Sequence, residues 1–350
     1  MRGPGMTAPA CAIKLGQSSQ HMNDDSHLYT PPRWLPGGHL QTIWPSFFSK
    51  SADAPLPAYR RERWTTPDDD FIDVDWLQGP PSNTLLVLFH GLEGSSQGHY
   101  ALAFADYARR QGLAYAVPHF RGCSGEINRQ PRAYHSGDHE EIDWMLSCFA
   151  QRHNGPILAV GVSLGGNALM RWAGVMGERA APRVRAVASV SSPLDLMASG
   201  HAIGAGINRL IYTPWFLKTM KPKALQKLAQ FPRLFDVQRL KSARNLYEFD
   251  DVFTAPLHGF QNVIDYWTRA SAKPVMRDIR IPALALNACN DPFVPAHSLP
   301  APHEVSTSVT LWQPQAGGHV GFAQGAVPGH LHWLPTQVGN WLQTKGGAHG

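Results

Sequence analysis

Cysteine is scarce in this chain, and long apolar runs, metal-ligand spacings and a strong net charge are missing. The four cysteines among 350 residues, Cys11, Cys123, Cys148 and Cys289, lie far apart with no CxxC pair. That spacing offers no disulfide framework and no zinc site, and it points to reduced thiols and a cytoplasmic setting. No run of 18 apolar residues occurs, so an ordinary membrane-spanning helix is not expected. Residues 1–27 carry Arg2 and Lys14 but no continuous apolar core, which argues against a secretory signal; their Gly, Ser, Gln and Asn content predicts a flexible leader. A net charge of +5, without a zinc-finger, RNP or basic-zipper pattern, gives no reason to expect a nucleic-acid partner. With 43% hydrophobic and 16% charged residues the chain has the composition of a globular protein with a sizeable core.

What is present has the order of a wound α/β sheet. Residues Arg61 to Leu77 alternate and are interrupted at Pro67-Asp68-Asp69-Asp70, the pattern of an antiparallel edge hairpin. Apolar runs at Leu85–Phe89, Ala114–Val117, Ile157–Val160, Val184–Val190 and Ala283–Leu286 have the length of strands buried on both faces, and helical patterns separate the first four. Such alternation predicts a parallel sheet. Between the fourth and fifth runs, from about 194 to 273, lies a helical insertion. Its Lys218, Lys221, Lys223, Lys227, Arg233, Arg239, Lys241 and Arg244 meet only Asp236 of opposite sign. A solvated helical face accounts for them, and a basic surface for peripheral lipid contact is the sharper alternative. Before the sheet, Pro31 to Trp44 is rich in proline and aromatics and reads as a docked segment, with His39 a hydrogen-bonded packing residue.

The chemistry concentrates at Gly161-Val162-Ser163-Leu164-Gly165, between a predicted strand and the helical pattern Asn167–Met176. That is the setting of a nucleophile elbow, where Gly161, Gly165 and Gly166 let strand and helix approach a strained serine. A serine hydroxyl needs a base to take its proton and a carboxylate to orient that base. Asp291 follows the strand Ala283–Leu286, and His319 follows Val309–Trp312 on a Gly-rich loop; one helix and one strand are expected between the two. Among 17 histidines, His330 and His332 fall at the start of the final helix and His349 in the tail, so they fit worse. Asp278 precedes its strand and would sit at the wrong end of the sheet. Two backbone N–H groups are needed for an oxyanion; Leu164 supplies one and Leu92, in His90-Gly91-Leu92-Glu93-Gly94, the other. His90 reads as a ring that pins this loop. Phe120 to Arg129 reads as loop-fixing. Asp138 and Glu141 read as a helix-capping pair, which explains the acids near His135 and His139 without a metal.

The ordered motifs HGLEGS, HFRGCSGEINR, YHSGD, GVSLGGNAL, EFDD, NDPF and GGHVGF resemble the YheT-like branch of the α/β-hydrolase superfamily, which includes the abhydrolase-domain proteins 1 and 3. The match runs from about Pro31 to about Leu342. The resemblance implies an α/β-hydrolase fold, a carboxylesterase or short-chain lipase activity, a triad on Ser163, Asp291 and His319, and no metal or organic cofactor. Its eukaryotic members suggest ester or acylglycerol substrates. The expected architecture is an eight-stranded, mostly parallel sheet flanked by helices, with a core at 28–193 and 274–345 and a helical cap at 194–273. Acyl transfer or thioester hydrolysis by the same triad, and a non-catalytic lipid-binding protein on the same fold, are the alternatives. Epoxide hydrolase and dehalogenase chemistry would need a carboxylate where Ser163 stands.

Overall fold

The computed structural model describes residues 29–56 and 58–347. The expected leader at 1–27 and His349 lie outside the described residues. Strands β1 (Tyr59–Thr65), β2 (Phe71–Leu77), β3 (Leu85–Phe89), β4 (Ala114–Pro118), β5 (Ile157–Val162), β6 (Ala186–Val190), β7 (Ala283–Leu286) and β8 (Val309–Trp312) form one sheet in the order 1-2-4-3-5-6-7-8. From β4 to β8 every neighbouring pair is parallel; β2 is antiparallel to both β1 and β4.

Charge fixes the register of the edge hairpin. Arg61 stands opposite Asp75 and Arg63 opposite Asp73, and each guanidinium binds its carboxylate through two nitrogens. A one-residue slip would break both pairs and turn the buried face to water. In the parallel part the apolar runs bury both faces. Val87, Phe89, Ala159 and Val187 pack on one side with Leu169 and Trp172; Leu86, Leu88, Val160 and Ala188 pack on the other with Phe104, Val338 and Leu342.

The flanking helices are α1 (Gly37–Phe47), α2 (His99–Gln111), α3 (His139–Arg152) and α4 (Leu164–Met176). Between β6 and β7 come α5 (Leu196–Ile203), α6 (Gly206–Gln230), α7 (Val237–Ser242), α8 (Leu246–Phe249), α9 (Ala255–Leu257) and α10 (Val263–Ala270), with a π-helical turn at Asp250–Thr254 and no strand. The chain ends its described part in α11 (Trp333–Gly347). Gly112 closes α2 in the left-handed region, and Asp138 caps α3 by accepting the Glu141 N–H. The capping pair is only half made, because the Glu141 carboxylate turns away to Arg121.

Two local expectations fail. The segment between Asp291 and His319 contains β8 but no α-helix; two 3-10 turns, Ala296–Ser298 and Pro302–Glu304, take its place. Pro295, Pro300 and Pro302 remove the N–H donors an α-helix would need there. His330 and His332 precede the last helix, His330 in a bridge with Gln324. No helix among the described residues is long and apolar enough to cross a membrane.

Candidate active site

The elbow follows from three glycines. Ser163 joins β5 to α4 with φ 53° and ψ −119°, a conformation that costs a non-glycine residue about 1–3 kcal/mol. A Cβ on Gly161 would stand 2.5 Å from the Gly165 carbonyl oxygen, and one on Gly165 would stand 2.5 Å from that of His90. One on Gly166 would meet the Ser192 hydroxyl at 1.9 Å. Only glycine lets α4 start this close to the sheet, and the Ser163 N–H is tied to the Val190 carbonyl of β6 at 2.9 Å.

Asp291 and His319 come to this serine from the ends of β7 and β8. His319 Nε2 lies 3.0 Å from Ser163 Oγ, and His319 Nδ1 lies 2.8 Å from Asp291 Oδ2. An ionised carboxylate only accepts, so Nδ1 carries the proton and Nε2 is left to accept the serine hydroxyl. Asp291 is buried, and its Oδ1 accepts the N–H groups of Phe293 and Val294. The Phe293 ring packs against the imidazole at 4.3 Å between centroids. The three residues picked from the sequence therefore form one hydrogen-bonded chain.

The loop after β3 is held on all sides. Phe120 donates its N–H to His90 Nε2, which leaves His90 Nδ1–H to donate to the Gly91 carbonyl. Burial pushes His90 down to about 3, so the ring stays neutral and acts as the expected pin. Tyr100 accepts the Gly91 N–H; Tyr134 accepts the Glu93 N–H and donates to the Glu93 carboxylate. Glu93 itself is held at φ 56°. Leu92 lies between these anchors on the cavity wall, and its N–H meets no backbone acceptor among the described residues. Leu164 opens α4 on the same wall, and a first-turn N–H has no acceptor within its helix.

Two hollows meet at Ser163 and His319. The larger by total empty space, about 1140 Å³ with the solvent at its mouth counted, takes its apolar wall from Leu196, Ile203, Met220, Phe249, Phe253 and Trp267 of the insertion. The smaller, about 900 Å³, runs between α1 and α6 past Ile43, Tyr212, Trp215 and Phe216. The motif Glu248-Phe249-Asp250-Asp251 gains a definite place here. Asp250 is half-buried on the wall of the larger hollow, accepting from Thr254 Oγ1 and Trp267 Nε1, and desolvation there pushes its carboxyl up to about 6.

The basic face of the insertion is not uniformly solvated. Lys223 turns inward to Glu93 at 2.9 Å, and Lys227 is 2% exposed, donating to the Asn128 and Gln130 carbonyls and to Gln230. Sequence periodicity cannot see Glu93 or the Asn128 and Gln130 carbonyls, which lie about a hundred residues or more away along the chain. Lys218 and Arg233 are exposed as expected.

Several supporting residues escaped the sequence reading. Gln41, buried in α1, accepts from Asn290 Nδ2 and the Gly317 N–H, while Thr42 Oγ1 accepts the His319 N–H at 2.9 Å and donates to the Gly38 carbonyl. These bonds clamp the Asp291 and His319 loops together. The only signal was two polar residues inside an aromatic, proline-rich segment. His39, as expected, is hydrogen-bonded, to Tyr212. Arg121, 5% exposed, fixes its loop through Asp68, Asp70 and Glu141, so one aspartate of the hairpin turn, Asp70, lies in the core while Asp68 meets Arg121 from the surface. Among the described residues one group has metal-ligand proximity, Asp53, Asp106 and His332; it lines neither hollow, and Arg109 and Arg110 already pair with Asp106. His135 packs against His258 and Tyr266 instead.

The alpha/beta hydrolase fold family matches residues 84–326. The putative esterase YheT of Escherichia coli is 37% identical over 323 residues, 90% of this chain and 93% of that protein. Human phospholipase ABHD3 is 28% identical, with 86% of this chain and 75% of that protein aligned. Among solved structures, mouse alpha/beta hydrolase domain-containing protein 10 superposes with a TM-score of 0.51 at 14% identity, covering 81% of this chain and 99% of that one, a likeness of fold alone. The chain belongs to the α/β-hydrolase family, in the branch that holds YheT and ABHD3.

Proposed function

We propose that the protein is a serine carboxylic-ester hydrolase working through an acyl-enzyme on Ser163. The observation that carries the reading is the hydrogen-bonded chain from Ser163 Oγ through His319 to Asp291, lying on the wall of an apolar hollow. In this reading His319 Nε2 takes the hydroxyl proton as Oγ attacks the ester carbonyl, and Asp291 holds the imidazole and the positive charge it gains. The N–H groups of Leu92 and Leu164 hold the oxyanion, each worth about 3 kcal/mol of transition-state stabilisation. His319 then gives its proton to the departing alcohol, and water, activated by the same imidazole, releases the acid.

The larger hollow suits an acyl chain, since the insertion lines it with Leu, Ile, Met and aromatic side chains. Substrates of this kind agree with relatives named esterase, phospholipase and monoacylglycerol lipase. We read 28–193 and 274–345 as the core and 194–273 as a cap over it. The free thiols of Cys123 and Cys148 fit a reducing, cytoplasmic setting. The test is hydrolysis of p-nitrophenyl esters of increasing acyl length by the wild type and Ser163→Ala. Ser163-dependent turnover with an optimum beyond acetate is expected; turnover that survives in Ser163→Ala overturns the assignment.

A further inference from the structure

The surface between α1 and α6 is the least expected part of the molecule. Leu40 and Phe47 of α1, and Phe48 at its C-terminal cap, are 47%, 59% and 57% exposed. On α6, Ile207, Leu210, Ile211 and Trp215 recur at helical spacing on one face and are 54%, 76%, 39% and 48% exposed. Phe47 and Trp215 stack at 5.5 Å between centroids, which joins the two helices into one apolar ridge. Seven large apolar side chains, each about half exposed, amount to on the order of 500 Å² of continuous surface, near the upper limit for a monomer that uses no such patch.

Two further observations say what covers it. Neither helix contains a single Asp or Glu, whereas Lys218 shares the exposed face of α6 and Arg33 and Lys50 flank α1. The patch is therefore apolar with a cationic fringe, the chemistry of a face that sinks aromatics among lipid headgroups and pairs Lys and Arg with their phosphates. The smaller hollow also runs between these helices, with Ile43 and Ser46 on one side, Trp215 and Thr219 on the other, and Ser163 and His319 at its inner end.

We propose that α1 and the first half of α6 form a docking face for an anionic phospholipid surface, seating the mouth of the smaller hollow on the bilayer. The inference builds on the ester-hydrolase reading, because it supplies the route by which a lipid ester would leave the membrane and reach Ser163. It also moves the lipid contact away from Lys223 and Lys227, which point inward, to α1 and the first half of α6, which keeps Lys218 of the insertion's basic residues.

The test is sedimentation of the full chain with vesicles of phosphatidylcholine and phosphatidylglycerol in equal parts, against vesicles of phosphatidylcholine alone. The comparison protein is the double variant Leu210→Asp and Phe48→Asp, two exposed residues that line neither hollow. The wild type is expected to bind the anionic vesicles, more weakly as salt is raised, and the double variant to bind about tenfold less tightly. Its turnover of p-nitrophenyl butyrate, a soluble ester, is expected to match the wild type and serves as the measure of folding. Failure of the wild type to bind, or equal binding by the double variant, overturns the proposal. A dimer by light scattering that the double variant dissociates would show that a second copy covers the face instead. Vesicle binding needs no catalysis, so its loss and a loss of ester turnover through Ser163 are separable results.

Discussion

Thr42→Val tests whether α1 belongs to the working site. The substitution preserves shape and removes one hydroxyl, which accepts the His319 N–H at 2.9 Å and donates to the Gly38 carbonyl at 2.7 Å. Leaving a buried N–H without its partner costs about 1–3 kcal/mol, so about 2 kcal/mol is at stake. If the bond serves to hold the imidazole over Ser163, that energy appears in the transition state, and kcat/KM falls about thirtyfold. If it serves only folding, the loss appears in the unfolding midpoint and kcat/KM is untouched. The assay is steady-state hydrolysis of p-nitrophenyl butyrate beside urea unfolding, with Thr42→Ser as the variant that restores the hydroxyl. Activity of the valine variant within twofold of wild type, or a serine variant as slow as valine, refutes the positioning argument.

Other perturbations have equally definite outcomes. Arg121→Met leaves Asp68, Asp70 and Glu141 without their shared cation, and the expected loss of stability is about 3–5 kcal/mol in urea unfolding; a loss below about 1 kcal/mol would mean that water already compensates these carboxylates. Asp250 titrates higher in the folded chain, near 6, than its ordinary 3.8, so the folded state holds the extra proton. Its favourable contribution is complete below about pH 4 and is lost as pH rises through 6, a swing of at most about 3 kcal/mol. Asp250→Asn is therefore expected to be more stable than wild type at pH 8 and to lose that advantage near pH 4; a variant that is less stable at pH 8 contradicts the burial argument. Gly165→Ala forces a methyl to 2.5 Å from the Phe89 and His90 carbonyl oxygens, and a soluble, fully active variant would show that α4 has more room than the structure gives it.

Most of the sheet was legible because burial on both faces writes itself into sequence as short apolar runs; β3 to β7 fall where five such runs lie, and β1 and β2 follow the alternating pattern of the edge hairpin. The meeting of Ser163, Asp291 and His319 was legible for a related reason. Loops at the C-terminal ends of parallel strands converge, so order along the chain becomes proximity. What was not legible depended on contacts between distant segments. Gln41 and Thr42 look like any polar residues in a helix until Asn290, Gly317 and His319 arrive to use them. Lys227 matches the solvent-facing lysines of α6 in sequence, yet its two carbonyl acceptors come from the loop after β4. Proline chemistry carried a signal that helical periodicity masked, which is why 3-10 turns stand where a helix was expected before β8.

The most direct measurement of the central claim is the site of covalent attack by a fluorophosphonate, which phosphonylates only a serine whose proton is being withdrawn and whose oxyanion is being held. Peptide mapping by mass spectrometry on the wild type and on His319→Ala would locate the adduct and its rate. The account predicts rapid modification at Ser163 in the wild type and modification slower by about a thousandfold in His319→Ala. A folded wild type that stays unmodified, or an adduct on any other residue, contradicts it.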